Sequence, residues 1–248
     1  MNLILLSDSD FITPTRVRLT DRRFTHIQDI LKAECAKTLT VGLINGLMGQ
    51  GEVVVKNKDA IELEVKLDQK PPEALPLTLI LALPRPPMLK RILFSAAMLG
   101  VKKIIILNFN RVEKSLWNSS SLKPETIEEQ LILGLEQAKD TLMPEVIIKK
   151  SFKPFVQDEL PTLIKGKQAL VAHPDKITML SANKITMSFP KAFVGNLNKN
   201  ILLIIGPEGG IIDFEIELLK SAGCQLIDLG PRILRTESVL PYIVGKLF

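Results

Sequence analysis

The stretch from Ile201 to Glu237, ILLIIGPEGGIIDFEIELLKSAGCQLIDLGPRILRTE, decides the fold of this chain. Its first apolar run, 201–205, stops at a glycine turn, 206–210, and its second, 224–229, stops at Gly230. Short apolar runs that end at glycines are typical of strands buried on both faces, as in a parallel sheet. Because such sheets bind ligands beyond the carboxyl ends of their strands, the two turns predict two walls of one pocket.

Apolar runs alternate with helical patterns from residue 77 onward. Strands are predicted at 77–83, 103–107, 145–149 and 168–172, and helices at 88–99, capped by Gly100, and at 124–143. Together with the two strands predicted at 201–205 and 224–229, they make about six strands. Alternation of this kind predicts an α/β domain with a largely parallel sheet.

The first 70 residues have a different pattern. They predict strands at 38–43, 51–56 and 60–67, and a single helix at 26–37. Three prolines follow between residues 69 and 76, and proline stiffens a chain and removes N–H donors, as in linkers. We place the domain boundary there, which gives a small β-rich domain of residues 1–72 and an α/β domain of residues 73–248.

Composition restricts the class of protein. Apolar residues make up 46% of the 248, so the chain is globular, while only 5% aromatic residues argues against a base-stacking platform. A formal charge of +5 is compatible with nucleic acid without establishing it. Basic residues crowd the first 40 positions, which raises the hypothesis of a phosphate-binding surface formed by Arg16, Arg18, Arg22, Arg23, Lys32 and Lys37.

Cysteine usage and hydropathy indicate a soluble, cytoplasmic protein. Cys35 and Cys224 lie far apart, without a Cys or His partner at metal-ligand spacing, and we predict two reduced, buried thiols. No apolar run approaches the roughly 18 residues of a membrane helix. We also find no nucleophile elbow or metal-binding helix, so hydrolase and metalloenzyme functions have no support.

The glycine turn carries its own chemistry. No Gly-Lys-Ser/Thr follows it, and its spacing differs from that of the dinucleotide fingerprint. Glu208 would suit a cationic or hydroxyl-bearing ligand, although a tight turn that only reverses the chain is the alternative. His173, which ends the strand 168–172, lies at the same sheet edge, either as a pocket residue or as a structural histidine.

The second turn is followed by two arginines and a predicted C-terminal helix. Arg235 could bind phosphate or carboxylate in a forked geometry. Thr236 has two interpretations, a helix cap or a pocket residue, and the cap is favoured because apolar helix residues follow it.

These motifs resemble those of the RsmE family. Its members are bacterial methyltransferases for uridine N3 in small-subunit ribosomal RNA and belong to the SPOUT superfamily. The resemblance rests on IGPEGG after a buried strand, on Glu215-x-x-x-Leu219-x-x-x-Gly223, and on LGPRILRTE at 229–237. Weaker matches are Leu99-Gly100-Val101, Glu136-Gln137, Pro144 and His173-Pro174.

The resemblance implies a fold and a set of partners. The α/β domain would be a SPOUT methyltransferase domain with a C-terminal trefoil knot, a rare exception to the rule that chains do not thread. A PUA-like β-barrel would precede it and help to hold RNA. The implied cofactor is S-adenosylmethionine, the implied partner is 16S ribosomal RNA or the small ribosomal subunit, and the implied assembly is a homodimer without metal or membrane.

Site residues are carried over in the same way. The implied cofactor pocket is formed by His173, Pro174, Ile205, Gly206, Pro207, Gly209, Gly210, Leu229, Gly230, Ile233, Leu234 and Thr236. Arg235 or Arg232 would stabilise negative charge on the uracil or position a phosphate, and Glu208 would orient the cofactor or accept the proton.

The chain departs from the family pattern at 95–100, at 111–115, where an Arg-Ser pair is usual, and at 139–140. These positions are expected to face RNA. Two further functions stay open as alternatives, a catalytically degenerate RNA-binding or ribosome-assembly factor and a SPOUT methyltransferase that acts on another RNA.

Overall fold

In the computed structural model, which describes residues 1–173 and 200–248, the strands form two separate six-stranded sheets. They belong to two units of the chain. The first unit contains Met1–Ala74 and Leu131–Met143, and the second contains Leu75–Gln130 and Pro144–Phe248. The assignment of residues 1–72 and 73–248 to two domains stays a prediction.

The sheet of the first unit is mixed. Its order is β1-β4-β5-β6-β3-β2, with β1 and β4 parallel and every other pair antiparallel. The strands are β1 Ile4–Leu6, β2 Phe11–Thr13, β3 Arg16–Leu19, β4 Thr38–Leu43, β5 Met48–Lys56 and β6 Ile61–Gln69. The alternation predicted for 60–67 is confirmed, because Ile61, Leu63 and Val65 are buried in the core of this unit. The three strands before residue 20 were not predicted, since runs of three or four residues carry too little periodicity.

The helix predicted at 26–37 is wrong. Helix α1 runs from Arg22–Asp29, and the carboxylate of Asp21 caps it by accepting a hydrogen bond from the amide of Arg23. Beyond it, Lys32 and Ala36 have φ values of 46° and 66°, which a right-handed helix excludes.

The sheet of the second unit is parallel throughout the described residues, and the predicted α/β fold is confirmed. Its order is β12-β10-β11-β7-β8-β9. The strands are β7 Leu75–Ala82, β8 Val101–Leu107, β9 Glu145–Lys149, β10 Gln168–Ala172, β11 Ile201–Ile205 and β12 Gln225–Ile227. β11 is buried along its whole length, as its unbroken apolar sequence predicts.

Helices connect these strands. They are α2 Pro86–Met98, α3 Pro124–Ala138, α4 Phe152–Pro154, α5 Leu160–Leu163, α6 Asp213–Ser221 and α7 Thr236–Leu247, with a π-helical turn Phe155–Glu159 between α4 and α5. Gly100, with φ of 81°, follows the end of α2 as predicted. The predicted helix 124–143 is too long, because α3 ends before Lys139, where φ is 57°. Within the described residues, no helix is both long and apolar enough to cross a membrane.

Sheet order positions the site. β11 lies between β7 and β10, and β12 pairs with the other edge of β10. Because the strands are parallel, the carboxyl ends of β10, β11 and β12 meet at one edge of the sheet. The segments that follow these three strands are therefore brought together.

Candidate functional site

A cleft lies at the carboxyl ends of β10, β11 and β12. Twelve residues predicted from the sequence line it: His173, Ile205, Gly206, Pro207, Glu208, Gly210, Leu229, Gly230, Arg232, Ile233, Leu234 and Thr236. Gly209 and Arg235 do not line it, and Pro174 lies outside the described residues. The cleft also contains residues that were not predicted, namely Ala172, Ile211, Asp228 and Val239.

The glycine turn, residues 206–210, forms the first wall. The amide of Gly210 donates a 2.8 Å hydrogen bond to the carbonyl oxygen of Pro207, and Gly210 has a φ of 79° that favours glycine. A Cβ on Gly206 would lie 2.5 Å from Cγ1 of Ile211, so the buried Ile211 fills the space that this glycine leaves. The shape of the glycine turn is therefore defined by a backbone hydrogen bond and by the packing of Ile211.

The second wall follows β12. Asp228 is buried, and its Oδ1 accepts a 3.2 Å hydrogen bond from the amide of Gly230, which has a φ of 103°. This local bond between a side chain and the backbone two residues later stabilises the second turn. The signal that could have identified Asp228 is an acidic residue inside the apolar run 224–229, since a carboxylate there lies at a strand end and next to a glycine.

The beginning of α7 corrects one prediction. Arg235 is the residue before the helix, and its side chain makes no capping hydrogen bond. Thr236 is the first helical residue, so the prediction that it caps the helix is wrong. Its side chain is instead buried at the cleft, which agrees with the alternative interpretation. The side chain of Arg235 is exposed, and that of Arg232 is exposed at the cleft.

A loop after β8 is bonded to the first wall. The buried carboxylate of Glu215 accepts hydrogen bonds from the amides of Asn110 (2.7 Å) and Ile212 (3.3 Å). Nη1 of Arg111 donates to the carbonyl oxygen of Gly209. The motif residue Glu215 therefore has a structural role, and Arg111, which the sequence placed only among departures from the family pattern, contacts the glycine turn.

Arginines in the first unit have structural partners. Arg22 forms two 2.9 Å hydrogen bonds with the buried Glu136, and Arg23 forms two of 2.7 Å with Asp10. Asp21 also bonds to Arg23. Arg22 and Arg23 therefore stabilise the fold of the first unit. The hypothesis of a phosphate-binding surface now rests on the exposed side chains of Arg18, Lys32 and Lys37.

The two cysteines differ in exposure. Cys224 is buried as predicted, and burial raises the pKa of its thiol to about 11. Cys35 is exposed, so its predicted burial is wrong. It lies in the irregular segment after α1, where the sequence had predicted a helix with a buried face. Among residues 1–173 and 200–248, no group of three or more His, Cys, Asp or Glu side chains could hold a metal ion.

The cleft is large enough for an organic ligand. Its volume is about 140 Å³, roughly ten times what a single water molecule needs. Apolar side chains such as Ile205, Leu229 and Leu234 contribute most of its surface, and Glu208 and Asp228 add carboxylates. Such a surface suits a ligand with an apolar ring and a cationic or hydroxyl-bearing part.

A parallel sheet with a glycine-lined cleft at its carboxyl edge defines an α/β protein with a candidate ligand site at its strand ends. Comparison with known proteins makes this specific, because a family described as RNA methyltransferase domain matches residues 71–247. The chain belongs to this family. The resemblance to RsmE is confirmed by curated relatives that bear the corresponding name.

Two of these relatives match along nearly the whole chain. Ribosomal RNA small subunit methyltransferase E of Treponema pallidum (strain Nichols) is 29% identical, over 96% of this chain and 87% of its own. Ribosomal RNA small subunit methyltransferase E 1 of Borreliella burgdorferi is 26% identical, over 96% of this chain and 93% of its own.

A solved structure shares the fold. The ribosomal RNA small subunit methyltransferase E from Neisseria gonorrhoeae, bound to S-adenosyl methionine, superposes with a TM-score of 0.71 at 20% identity. The match covers 99% of this chain and 95% of that chain. At this identity the likeness shows a common fold.

Proposed function

We propose that this protein transfers a methyl group from S-adenosylmethionine to N3 of a uridine in 16S ribosomal RNA. One observation carries the proposal, the cleft that two glycine turns and two carboxylates form at adjacent strand ends in an RNA methyltransferase domain. Relatives named ribosomal RNA small subunit methyltransferase E support the substrate, and the uracil N3 position follows from that family.

The cleft residues fit the proposed cofactor. Apolar side chains provide a surface for the adenine ring, as Leu229 and Leu234 do from the second wall. Glu208 and Asp228 can accept hydrogen bonds from ribose hydroxyls or attract the positive sulfonium. The position of a Cβ on Gly230 is open space, so the main chain of the second turn can approach a ligand closely.

When bound, S-adenosylmethionine supplies an electrophilic methyl group, whose bond to sulfur breaks as the bond to N3 of the uracil forms. N3 of uridine is mostly protonated at neutral pH and is engaged in base pairing. The protein must therefore expose the base and accept or stabilise the loss of its proton.

Arginine side chains at the cleft can stabilise the charge that develops on the base. The exposed guanidinium of Arg235 lies at the start of α7, and that of Arg232 lines the cleft. Either can donate hydrogen bonds to a uracil oxygen or a phosphate. Glu208 is 42% exposed, and its ion pair with Nε of Arg85 is long, at 4.0 Å, so its carboxylate can orient the cofactor or accept the proton.

The proposal extends to the rest of the molecule. Residues 1–72 form the PUA-like domain that helps to hold RNA, through exposed basic residues such as Arg18. The α/β domain has a C-terminal trefoil knot, and two copies of the protein associate as a cytoplasmic homodimer. Membership of the RNA methyltransferase family, which matches residues 71–247, supports the knot and the dimer. The relatives that match along 96% of the chain support the PUA-like domain.

Two other functions remain as alternatives. A ribosome-assembly factor without catalysis is favoured by the altered positions 111–115 and 139–140, while the complete glycine turn and residues 229–237 oppose it. A methyltransferase for another RNA is the second alternative, and methylation of transfer RNA with none on small-subunit RNA would favour it.

Calorimetric titration with S-adenosylmethionine tests the cofactor site first. We expect micromolar binding with about one ligand per chain, and weaker binding by the cleft variant Asp228→Asn, with Asp213→Asn as an exposed control. Absence of binding to the folded protein, with and without RNA, would favour the non-catalytic alternative. Methyl transfer to 16S RNA, naked or in the assembled subunit, then tests the substrate, with product analysis for N3-methyluridine.

A further inference from the structure

The loop after β8 contacts the outer side of the glycine turn. Nη1 of Arg111 lies 2.5 Å from the carbonyl oxygen of Gly209, which is 98 residues later in the chain. A guanidinium N–H is a charged donor, and such hydrogen bonds are stronger than those between neutral groups. Arg111 therefore holds one peptide group of the turn from outside the cleft.

The stem of the same side chain packs on the turn. A Cβ built on Gly209 would lie 3.3 Å from Cβ of Arg111 and 3.4 Å from its Cδ. A Cβ on Gly210 would lie 3.6 Å from Nη1. The absence of a side chain at Gly209 thus makes room for Arg111, which gives this glycine a role although it does not line the cleft.

The main chain on both sides of Arg111 is fixed. The amide of Asn110 donates to the buried carboxylate of Glu215, and the amide of Val112 donates to the carbonyl oxygen of the buried Phe109. Anchored neighbours reduce the entropy that the arginine loses when it binds the turn. The loop thus presents Arg111 in a defined position.

A second arginine near the turn offers a comparison. Arg85 lies 4.0 Å from Glu208 and 3.6 Å from Glu113, and its side chain is 68% exposed. Long, exposed ion pairs of this kind contribute little. Arg85 is therefore a matched control for Arg111. Arg111 makes a short hydrogen bond to the glycine turn, whereas Arg85 has a long ion pair with it.

We infer that Arg111 is a positioning residue, which holds the glycine turn in the shape that the cofactor cleft requires. This inference rests on the proposed function only for the identity of the ligand. The contact itself predicts a turn that becomes more mobile when the guanidinium is removed.

Amide hydrogen exchange of residues 208–212 tests the inference without any ligand. We expect exchange in Arg111→Ala to rise by about 2- to 10-fold, the range for loss of one hydrogen bond. Arg85→Ala should stay within about twofold of the wild type, since its ion pairs are weak. Arg111→Lys should fall between the wild type and Arg111→Ala, because lysine keeps a charged donor but loses the planar fork.

Calorimetry with S-adenosylmethionine then links the turn to the ligand. Affinity should fall by about 3- to 10-fold in Arg111→Ala and by less than about twofold in Arg85→Ala. Gly209→Ala should weaken binding in the wild type and have a smaller effect in the Arg111→Ala background, where the added Cβ meets no arginine stem. Unchanged thermal unfolding midpoints would show that each variant folds.

The outcomes separate the two claims. Unchanged exchange in Arg111→Ala overturns the inference, whether or not the wild type binds S-adenosylmethionine. Faster exchange with unchanged affinity overturns the link to the cofactor. If exchange is faster in Arg111→Ala and the wild-type protein binds no S-adenosylmethionine, the result supports the role of Arg111 in holding the turn and refutes the proposed cofactor.

Discussion

The carboxylate of Glu215 accepts a 2.7 Å hydrogen bond from the backbone amide of Asn110, which lies 105 residues earlier in the chain. The side chain is 3% exposed and also accepts a bond from Ile212, so it joins the β8 loop to the start of α6.

Glu215→Ala should lower the free energy of unfolding by about 1–3 kcal/mol, because two backbone donors lose their acceptor in a buried site. Urea denaturation measures the change. Glu217→Ala is the control, since Glu217 is exposed and its pair with Lys220 lies at the surface, and it should change stability by less than about 0.5 kcal/mol. Equal effects of the two substitutions would contradict the structural role of Glu215.

Gly206→Ala should destabilise the protein by about 1–3 kcal/mol, because the new Cβ would overlap the side chain of the buried Ile211. Binding of S-adenosylmethionine should weaken as the first wall moves. Gly245→Ala, in α7, meets open space and should be neutral or stabilising by up to about 1 kcal/mol. Thermal unfolding and calorimetry of both variants check this contrast.

Arg235→Ala should reduce methyl transfer by at least about 100-fold, the usual consequence of losing a donor that stabilises developing charge. Affinity for S-adenosylmethionine should change little, because Arg235 does not line the cleft. Arg232→Ala should affect both quantities, since Arg232 does. Single-turnover kinetics and calorimetry separate the two quantities, and Lys246→Ala, in the last turn of α7, is an exposed control. Wild-type rates in Arg235→Ala would remove its catalytic assignment.

Arg22→Ala should destabilise the first unit by about 1–3 kcal/mol, because the buried carboxylate of Glu136 loses two hydrogen bonds, while the 43% exposure of the Arg22 side chain keeps the loss below that of a fully buried pair. Guanidinium denaturation measures the loss. The double variant with Glu136→Gln should recover part of it, since the unpaired charge is then absent. Arg18→Ala, on the exposed side of β3, should have almost no effect on stability.

Thiol labelling at pH 8 should modify Cys35 quickly and Cys224 only after unfolding. Burial raises the pKa of Cys224 to about 11, so only about one thiol in a thousand is ionised at that pH. Lowering the pH would decrease this fraction further. Mass spectrometry of alkylated peptides, with and without urea, identifies the site, and rapid alkylation of Cys224 in the folded protein would contradict its burial.

The sequence by itself determined the strands of the second unit and the ends at which a ligand could bind. β9, β10 and β11 begin and end at the predicted residues, because strands buried in a parallel sheet appear as unbroken apolar runs. Glycines mark the turns for an equally local reason, since Gly210 and Gly230 adopt positive φ values. Helix ends were predicted less well. Helix α3 ends before Lys139 and not at residue 143, because Lys139 has a positive φ that an α-helix excludes.

Only the tertiary structure decided which side chains meet. The contacts of Arg111 with Gly209, of Glu215 with Asn110 and of Arg22 with Glu136 join residues that lie 98, 105 and 114 positions apart. The first two contacts depend on the strand order β12-β10-β11-β7-β8 of the second unit, whereas the third joins α1 to α3 within the first unit. An apolar run specifies that a strand is buried but not which strand lies beside it, because every hydrophobic neighbour satisfies the same burial.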